Sequence, residues 1–402
     1  METPERNTSN NTEDSTDIGS HAFVIGATLR RYNLIFVGLA LTLPASLLAS
    51  EAHMRAFGPQ STVRVARPTV RWEVWPGPGS TLTSTMMTIN GQDVRPKYDR
   101  AGRALTYTPS QPLDEGTYSV ECKVIVDDFM PVTKSWKFKI AAGAAEGLPS
   151  PSGDQVREVS EINRLRGLMG LPDLEIDPRL CAAAMAHTNY LSVNNLTGHY
   201  QRAGDPSFVG VSPGDRLDAF GYSDGSWEGV DYGRQSDLTS INRLFDAPYH
   251  RLPFLQPGST VVGAGSMPCH MTLEFGMSAT SGVVVSPADG QRDIKTSWHG
   301  PESPDPLAMH GVDGVVGYPI VFSYFSPQQE KIVVEKATLR TALGDLVPFY
   351  LNSPDNDKEL NFAALVIPKS PLKPRTGYTV SVDAHTASGK DISQTWRFVT
   401  GG

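Results

Sequence analysis

Cysteine is scarce in this chain: Cys122, Cys181 and Cys269 are the only three in 402 residues. At most one intramolecular bridge can form, and one thiol is left over. Cys181 with Cys269 is the pairing to test, since both fall in the central segment; the competing reading is two unrelated buried small hydrophobes. Basic runs are missing as well. With a net charge of -8 and no Lys/Arg-rich stretch, the chain has no basic face from which counterions could be released. Nucleic acid and anionic membrane surfaces are therefore excluded as partners. Also absent are a Gly-x-Ser-x-Gly elbow, a His-Glu-x-x-His helix, a Walker loop and a dinucleotide fingerprint. Long apolar runs are missing except at residues 34–49, which follow Arg30-Arg31 and lead into Ser50 and Ala52. That is the layout of an export signal over residues 33–52, with cleavage after Ala52. The alternative is an uncleaved membrane anchor, for which the run is short against the roughly 20 residues a span needs. Either reading places everything after residue 52 outside the cytoplasm and confines membrane contact to this segment. Residues 1–32 form a polar tail, and the stretch 7–17 in particular is expected to be disordered for want of apolar surface to bury.

The length exceeds one ordinary core, and a prior of about 150 residues per domain gives two or three. The 37 Gly and 31 Pro point to many turns and several linkers. Two flanking stretches repeat each other. Residues 109–138 run from Pro109, Pro112 and Leu113 through Gly116-Thr117-Tyr118-Ser119-Val120 to Trp136-Lys137-Phe138. Residues 368–398 run from Pro368, Pro371 and Leu372 through Thr376-Gly377-Tyr378-Thr379-Val380 to Trp396-Arg397-Phe398. In both copies apolar and polar residues alternate with the strand period of two. The pattern resembles the bacterial immunoglobulin-like domains of exported proteins, which implies antiparallel sandwiches of about seven short strands. They are expected at 67–141 and 283–402, with the Ala-, Gly-, Pro- and Ser-rich stretch 142–154 as a linker after the first.

Between them the period changes to 3.6. Val156, Val159, Ile162 and Leu165 mark a first helix that stops at Gly167 and Gly170. Asp177-Pro178 is an N-cap and first-position pair for a second helix, with Leu180, Ala183, Ala184 and Leu191 on its apolar side. A third helix is expected from Asp237 with Leu238, Ile241 and Leu244 inward, followed by strands near residues 260–264 and 271–275. Helices around a small antiparallel sheet make this segment, 155–282, an α+β domain.

Its phrases are distinctive: Asn163-Arg164-Leu165-Arg166, Gly198-His199-Tyr200, Pro213-Gly214-Asp215-Arg216-Leu217, Trp227-Glu228-Gly229, Pro248-Tyr249-His250-Arg251 and Val262-Gly263-Ala264-Gly265. Together they resemble the CAP superfamily, the cysteine-rich secretory, antigen 5 and pathogenesis-related 1 proteins, in their bacterial SCP-like extracellular form. The resemblance implies an α-β-α sandwich with a central cleft lined by two His and two acidic residues. His199 stands at the first cleft His, Glu228 at the first cleft Glu and His250 at the second His. The chain departs from the pattern where Tyr249 replaces Gly, Leu244 replaces Trp, and Ala247 stands where the second Glu belongs.

Two imidazoles and one carboxylate are a sufficient set for a divalent metal such as zinc or calcium, with an open position for water. His199, Glu228 and His250 are thus the candidate cleft and candidate metal ligands. The alternative is a hydrogen-bonded polar cluster that orients loops. Asp215 and Arg216 read as a loop-fixing ion pair, and Arg251 and Asp246 as supports around His250. Trp227 reads as core or as an apolar wall of the cleft, and His187 as a packed or capped core residue. No convincing nucleophile accompanies the trio, since Cys181 falls on an Ala-rich helix side. The expectation is an exported protein that binds a small ligand, a lipid or a cell-envelope polymer through this cleft. A metal-dependent extracellular hydrolase and a purely structural or adhesive protein are the alternatives.

Overall fold

The computed structural model describes residues 26–27, 53–77, 79–100, 103–129, 131–233, 237–277, 280–300, 302–327 and 329–402. The expected tail, apart from Gly26–Ala27, and the expected export segment 33–52 lie outside the described residues. None of the described helices is long and apolar enough to cross a membrane.

The first domain is a two-sheet β-sandwich. One sheet is ordered Thr62–Val65, Val132–Ala145, Gly116–Val126, Leu82–Ile89, Gln92–Val94, and the other His53–Gly58, Val70–Trp75, Ala104–Tyr107, Lys97–Asp99. Alternation along the strands puts Val120, Cys122 and Val124 inward with Trp136, Phe138 and Ile140, facing Val70, Trp72 and Val74. The domain begins before residue 67, because Thr62–Val65 pairs in parallel with its last strand. It also ends later than 141, since that strand continues to Ala145.

The last domain repeats this arrangement, with sheets ordered Gly282–Ser286, Ile320–Phe325, Ala363–Pro368, Phe349–Asn352 and Gln291–Ile294, Gln394–Thr400, Gly377–Thr386, Ile332–Thr341. The sequence repeat survives in space. Phe138 lies opposite Tyr118 and stacks on it with 5.5 Å between ring centres, and Phe398 does the same with Tyr378, also at 5.5 Å.

In the central domain helix α1, Gly153–Leu168, opens on a capping box between Ser152 and Gln155. It buries Val159, Ile162 and Leu165, whereas Val156 is exposed. Helix α2, Pro178–Asn194, is capped by Asp177 as expected and ends on the left-handed Asn195. Helices α3 (Pro213–Ala219), α4 (Asp237–Asp246) and α5 (Pro248–Arg251) follow. The sheet is ordered Gly26–Ala27, Ser226–Tyr232, His270–Gly276, Val261–Met267, Glu175–Ile176, so two residues of the expected tail form an edge strand.

The two faces of this sheet carry different layers. Gly263 and Gly265 let α2 come down directly onto one face; a Cβ there would stand 2.2 Å from the Leu180 carbonyl carbon or 2.3 Å from the Met185 nitrogen. Thr272, paired with Gly265, bonds Thr188 of α2 on that face. On the other face Val262, Leu273 and Phe275 join one core with Val159, Ile241, Leu244 and Phe254 from the helices and Phe322, Phe362 and Leu365 from the last sandwich. The result is three layers, helix, sheet and helix, with the C-terminal sandwich continuous with the outer one. On the opposite side α3 meets the first sandwich, where Gln60 N donates to Asp218 Oδ2 at 3.0 Å.

Candidate functional site

The strand Ser226–Tyr232 decides what meets what. Adjacent residues point to opposite faces, and a Cβ on Gly229 would touch Leu244 of α4 at 3.8 Å. Trp227 and Gly229 therefore face α4 and the last sandwich, and Glu228 faces α2 and α3. Trp227 is core, edge-on to Phe362 with centres 5.3 Å apart. It does not wall a cleft that contains Glu228.

Glu228 is fully buried in a dense polar cluster. Its Oε1 accepts from His199 Nδ1 at 2.8 Å, and its Oε2 takes a short charge-assisted bond from Arg216 Nη2. A second guanidinium nitrogen of Arg216 donates to the His199 carbonyl at 3.1 Å. The expected Asp215–Arg216 ion pair is not formed. Asp215 instead closes a capping box with Ser212 at the start of α3, and this frees Arg216 to turn inward. Burial alone would raise the Glu228 carboxyl; Arg216, His187 and His199 outweigh it and hold the group well below the usual carboxylate range.

Directly across the sheet from Glu228 stands Glu274, also fully buried. Two like charges cannot both persist at that separation. Burial, and then the charge and hydrogen bond of Glu228, push the Glu274 carboxyl well above its ordinary value. Glu274 is thus the protonated member. Its Oε2 accepts from Ser226 Oγ at 2.5 Å, and its buried Oε1 has no partner among the described residues.

His187, the packed histidine of the sequence reading, adjoins the cluster, with Nε2 3.8 Å from Glu228 Oε1. Nε2 faces the Gly198 carbonyl at 2.9 Å and Nδ1 faces the Gln201 amide nitrogen at 3.1 Å, so the neutral Nε2–H tautomer fits both. Gln201 is held in that orientation because its oxygen accepts from Val209 N at 2.9 Å. Burial brings the imidazole down to about 4 despite nearby Glu228.

His250 does not join this cluster. It sits on α5, in the layer beyond the other face of the sheet, and its Nδ1 pairs with Oε1 of Glu302 at 2.8 Å. Asp246 and Arg251 are its chain neighbours only. Asp246 takes Lys295 and the Tyr318 hydroxyl, and Arg251 donates to the carbonyls of Phe245, Asp246 and Pro319. The expected metal set of His199, Glu228 and His250 is accordingly not assembled. Both oxygens of Glu228 are committed, a guanidinium stands against them, and among the described residues no group of three or more His, Cys, Asp or Glu side chains is placed to hold a metal.

The three cysteines are free. Cys181 lies against Gly263, while Cys269 is in the turn beyond Met267. Four strand residues at roughly 3.3 Å each separate these places, about twice the reach of a disulfide.

Residues 159–276 match the profile of the CAP family, described as the cysteine-rich secretory protein family. This segment is a CAP domain. No curated protein matches the chain. Among solved structures, the chain is similar to an outer surface protein of Borrelia burgdorferi, at 20% identity over 33% of this chain and 98% of that one, with a TM-score of 0.28. It is also similar to an extracellular SCP-domain protein of Bacillus anthracis, at 13% identity over 68% of this chain and 99% of that one, with a TM-score of 0.29.

Sequence reasoning missed Glu274 and Glu302 in the CAP domain and its surroundings. Glu274 could be found only from the register that places it opposite Glu228. Glu302 carries no local signal at all, being 52 residues from the histidine it serves.

Proposed function

We propose that this protein is exported and acts outside the cytoplasm as a non-covalent binding protein, with His199 the ligand-facing group of its CAP domain. The two sandwiches, read as immunoglobulin-like modules, brace the domain from both sides. One observation carries the reading: Glu228 fixes His199 through Nδ1, while Nε2 has no partner among the described residues and the side chain keeps 10% exposure. With Nδ1–H donated to the carboxylate, Nε2 presents a lone pair to a hydroxyl or amide N–H of a ligand. The buried Arg216, Glu274 and Ser226 hold that geometry and have no route to a substrate of their own. An imidazole so fixed binds and orients, and without a nucleophile beside it there is no covalent step to perform.

The test follows the His199 ring resonances of the full chain while peptidoglycan fragments, soluble envelope polysaccharide or lipid vesicles are added. The expected result is a saturable shift at His199 Nε2 with one of these classes, lost in His199→Ala binding assays. Binding of a class with the His199 resonances unmoved, or no binding of any, overturns the proposal.

A further inference from the structure

Helix α5 starts without a cap of its own, because Ala247 stands at its N-cap position and offers no side-chain acceptor. The acceptor comes from the C-terminal sandwich. Oε1 of Glu302 takes Tyr249 N at 2.9 Å, His250 N at 2.9 Å and His250 Nδ1 at 2.8 Å. The Glu302 side chain is wholly buried in the seam, whereas that of His250 retains 15% exposure. A carboxylate oxygen only accepts, so Nδ1 carries the ring proton and Nε2 keeps its lone pair. That Nε2 has no partner among the described residues. The arrangement reproduces, across a domain boundary, what Glu228 does for His199 inside the CAP domain.

The seam itself is firmly made. Tyr249 donates its hydroxyl to Asp357 Oδ2, which also accepts from Asn352 Nδ2 at 2.9 Å. Arg251 reaches the Pro319 carbonyl at 2.8 Å, and Trp227 packs on Phe362.

We propose that Glu302 is a positioning residue for His250: the C-terminal sandwich supplies the carboxylate that gives the protein a second ligand-facing imidazole, at the domain seam, present only while the two domains are docked. Its ligand chemistry is that of an acceptor for a hydroxyl or amide N–H. The inference deepens the binding function proposed above and rests on it for its purpose, but its test needs no ligand.

The readout is the tautomer of His250, from ring nitrogen shifts of the full chain at a pH where the imidazole is neutral. Wild type is expected in the Nδ1–H form, and Glu302→Gln retains it because the amide oxygen still accepts. Glu302→Ala shifts the ratio toward Nε2–H by about tenfold or more, the worth of one charge-assisted hydrogen bond. Should the alanine variant not fold, Glu302→Asp, whose carboxylate is one methylene short, gives the same readout. A His250 that is Nε2–H in wild type, or Nδ1–H in every folded variant, overturns the proposal. Neither outcome touches the His199 reading, which is scored separately by ligand addition.

Discussion

Glu228 and Glu274 face each other on paired strands beside the buried cation Arg216, which bonds Glu228, and with one carboxyl held charged and the other protonated this makes an unusual prediction for their substitution. Removing one partner of a buried ion pair ordinarily costs about 3–5 kcal/mol, because the other charge is left uncompensated. Glu228→Gln should cost less. Glu274 stays protonated partly because Glu228 is charged beside it; once that charge is gone, Glu274 ionises and faces Arg216 in its place. The remaining loss is a misplaced hydrogen-bond geometry, about 1–2 kcal/mol. Glu274→Gln, which imitates the protonated acid, should also cost only about 1 kcal/mol. The double variant removes both possible anions and incurs the full penalty of about 3–5 kcal/mol. A non-additive excess of about 1–2 kcal/mol is therefore expected from the cycle, in the range of directly coupled neighbours. Hydrogen exchange of the amides in Ser226–Tyr232, read as opening free energies, isolates the CAP domain from the two sandwiches. Additivity within about 0.5 kcal/mol, or a Glu228→Gln loss as large as that of the double variant, would refute the coupling of the two carboxyls.

His187 predicts a pH dependence. Its folded value of about 4 lies below the ordinary 6.5, so between these the unfolded chain binds the extra proton. Stability therefore rises with pH across that window and is lost as pH falls from 6.5 through 4, by about 3 kcal/mol in total. Glu274 acts in the opposite sense above its ordinary 4.5, so the check is the difference between wild type and His187→Gln, which should carry the His187 slope alone. Thiol titration should find Cys269 reactive in the native protein and the other two only on unfolding, since burial raises Cys122 to about 12 and Cys181 to about 11; loss of two thiols together on oxidation would speak against the geometry. Gly265→Ala should destabilise the CAP domain by about 1–3 kcal/mol or more through overpacking against α2, and an unchanged unfolding midpoint would contradict that close approach.

What the chain reveals by eye is whatever local physics fixes. The Asp177-Pro178 cap and the alternating Tyr-x-Val and Trp-x-Phe strands are local, and all stand where their spacing places them. The strand Ser226–Tyr232 is different. Residues 226 to 231 are buried on both faces, so no alternation marks it as a strand or tells which neighbours share a face. Without that, Trp227-Glu228-Gly229 reads as one phrase aimed at one cleft, and His250 is drawn into the same site as Glu228. The sheet separates them. His250's real partner belongs to another domain, and no pattern within either domain announces a carboxylate supplied by its neighbour.

The separation of the two histidines is tested most directly by zinc titration calorimetry on the full chain, beside His199→Ala and His250→Ala. With His199 bound to Glu228 and His250 to Glu302, the expected result is no shared site of about micromolar affinity or tighter, and any weak heat should respond to each substitution independently. A single stoichiometric site abolished equally by both substitutions would bring the imidazoles back into one cleft and contradict the arrangement of the sheet's two faces.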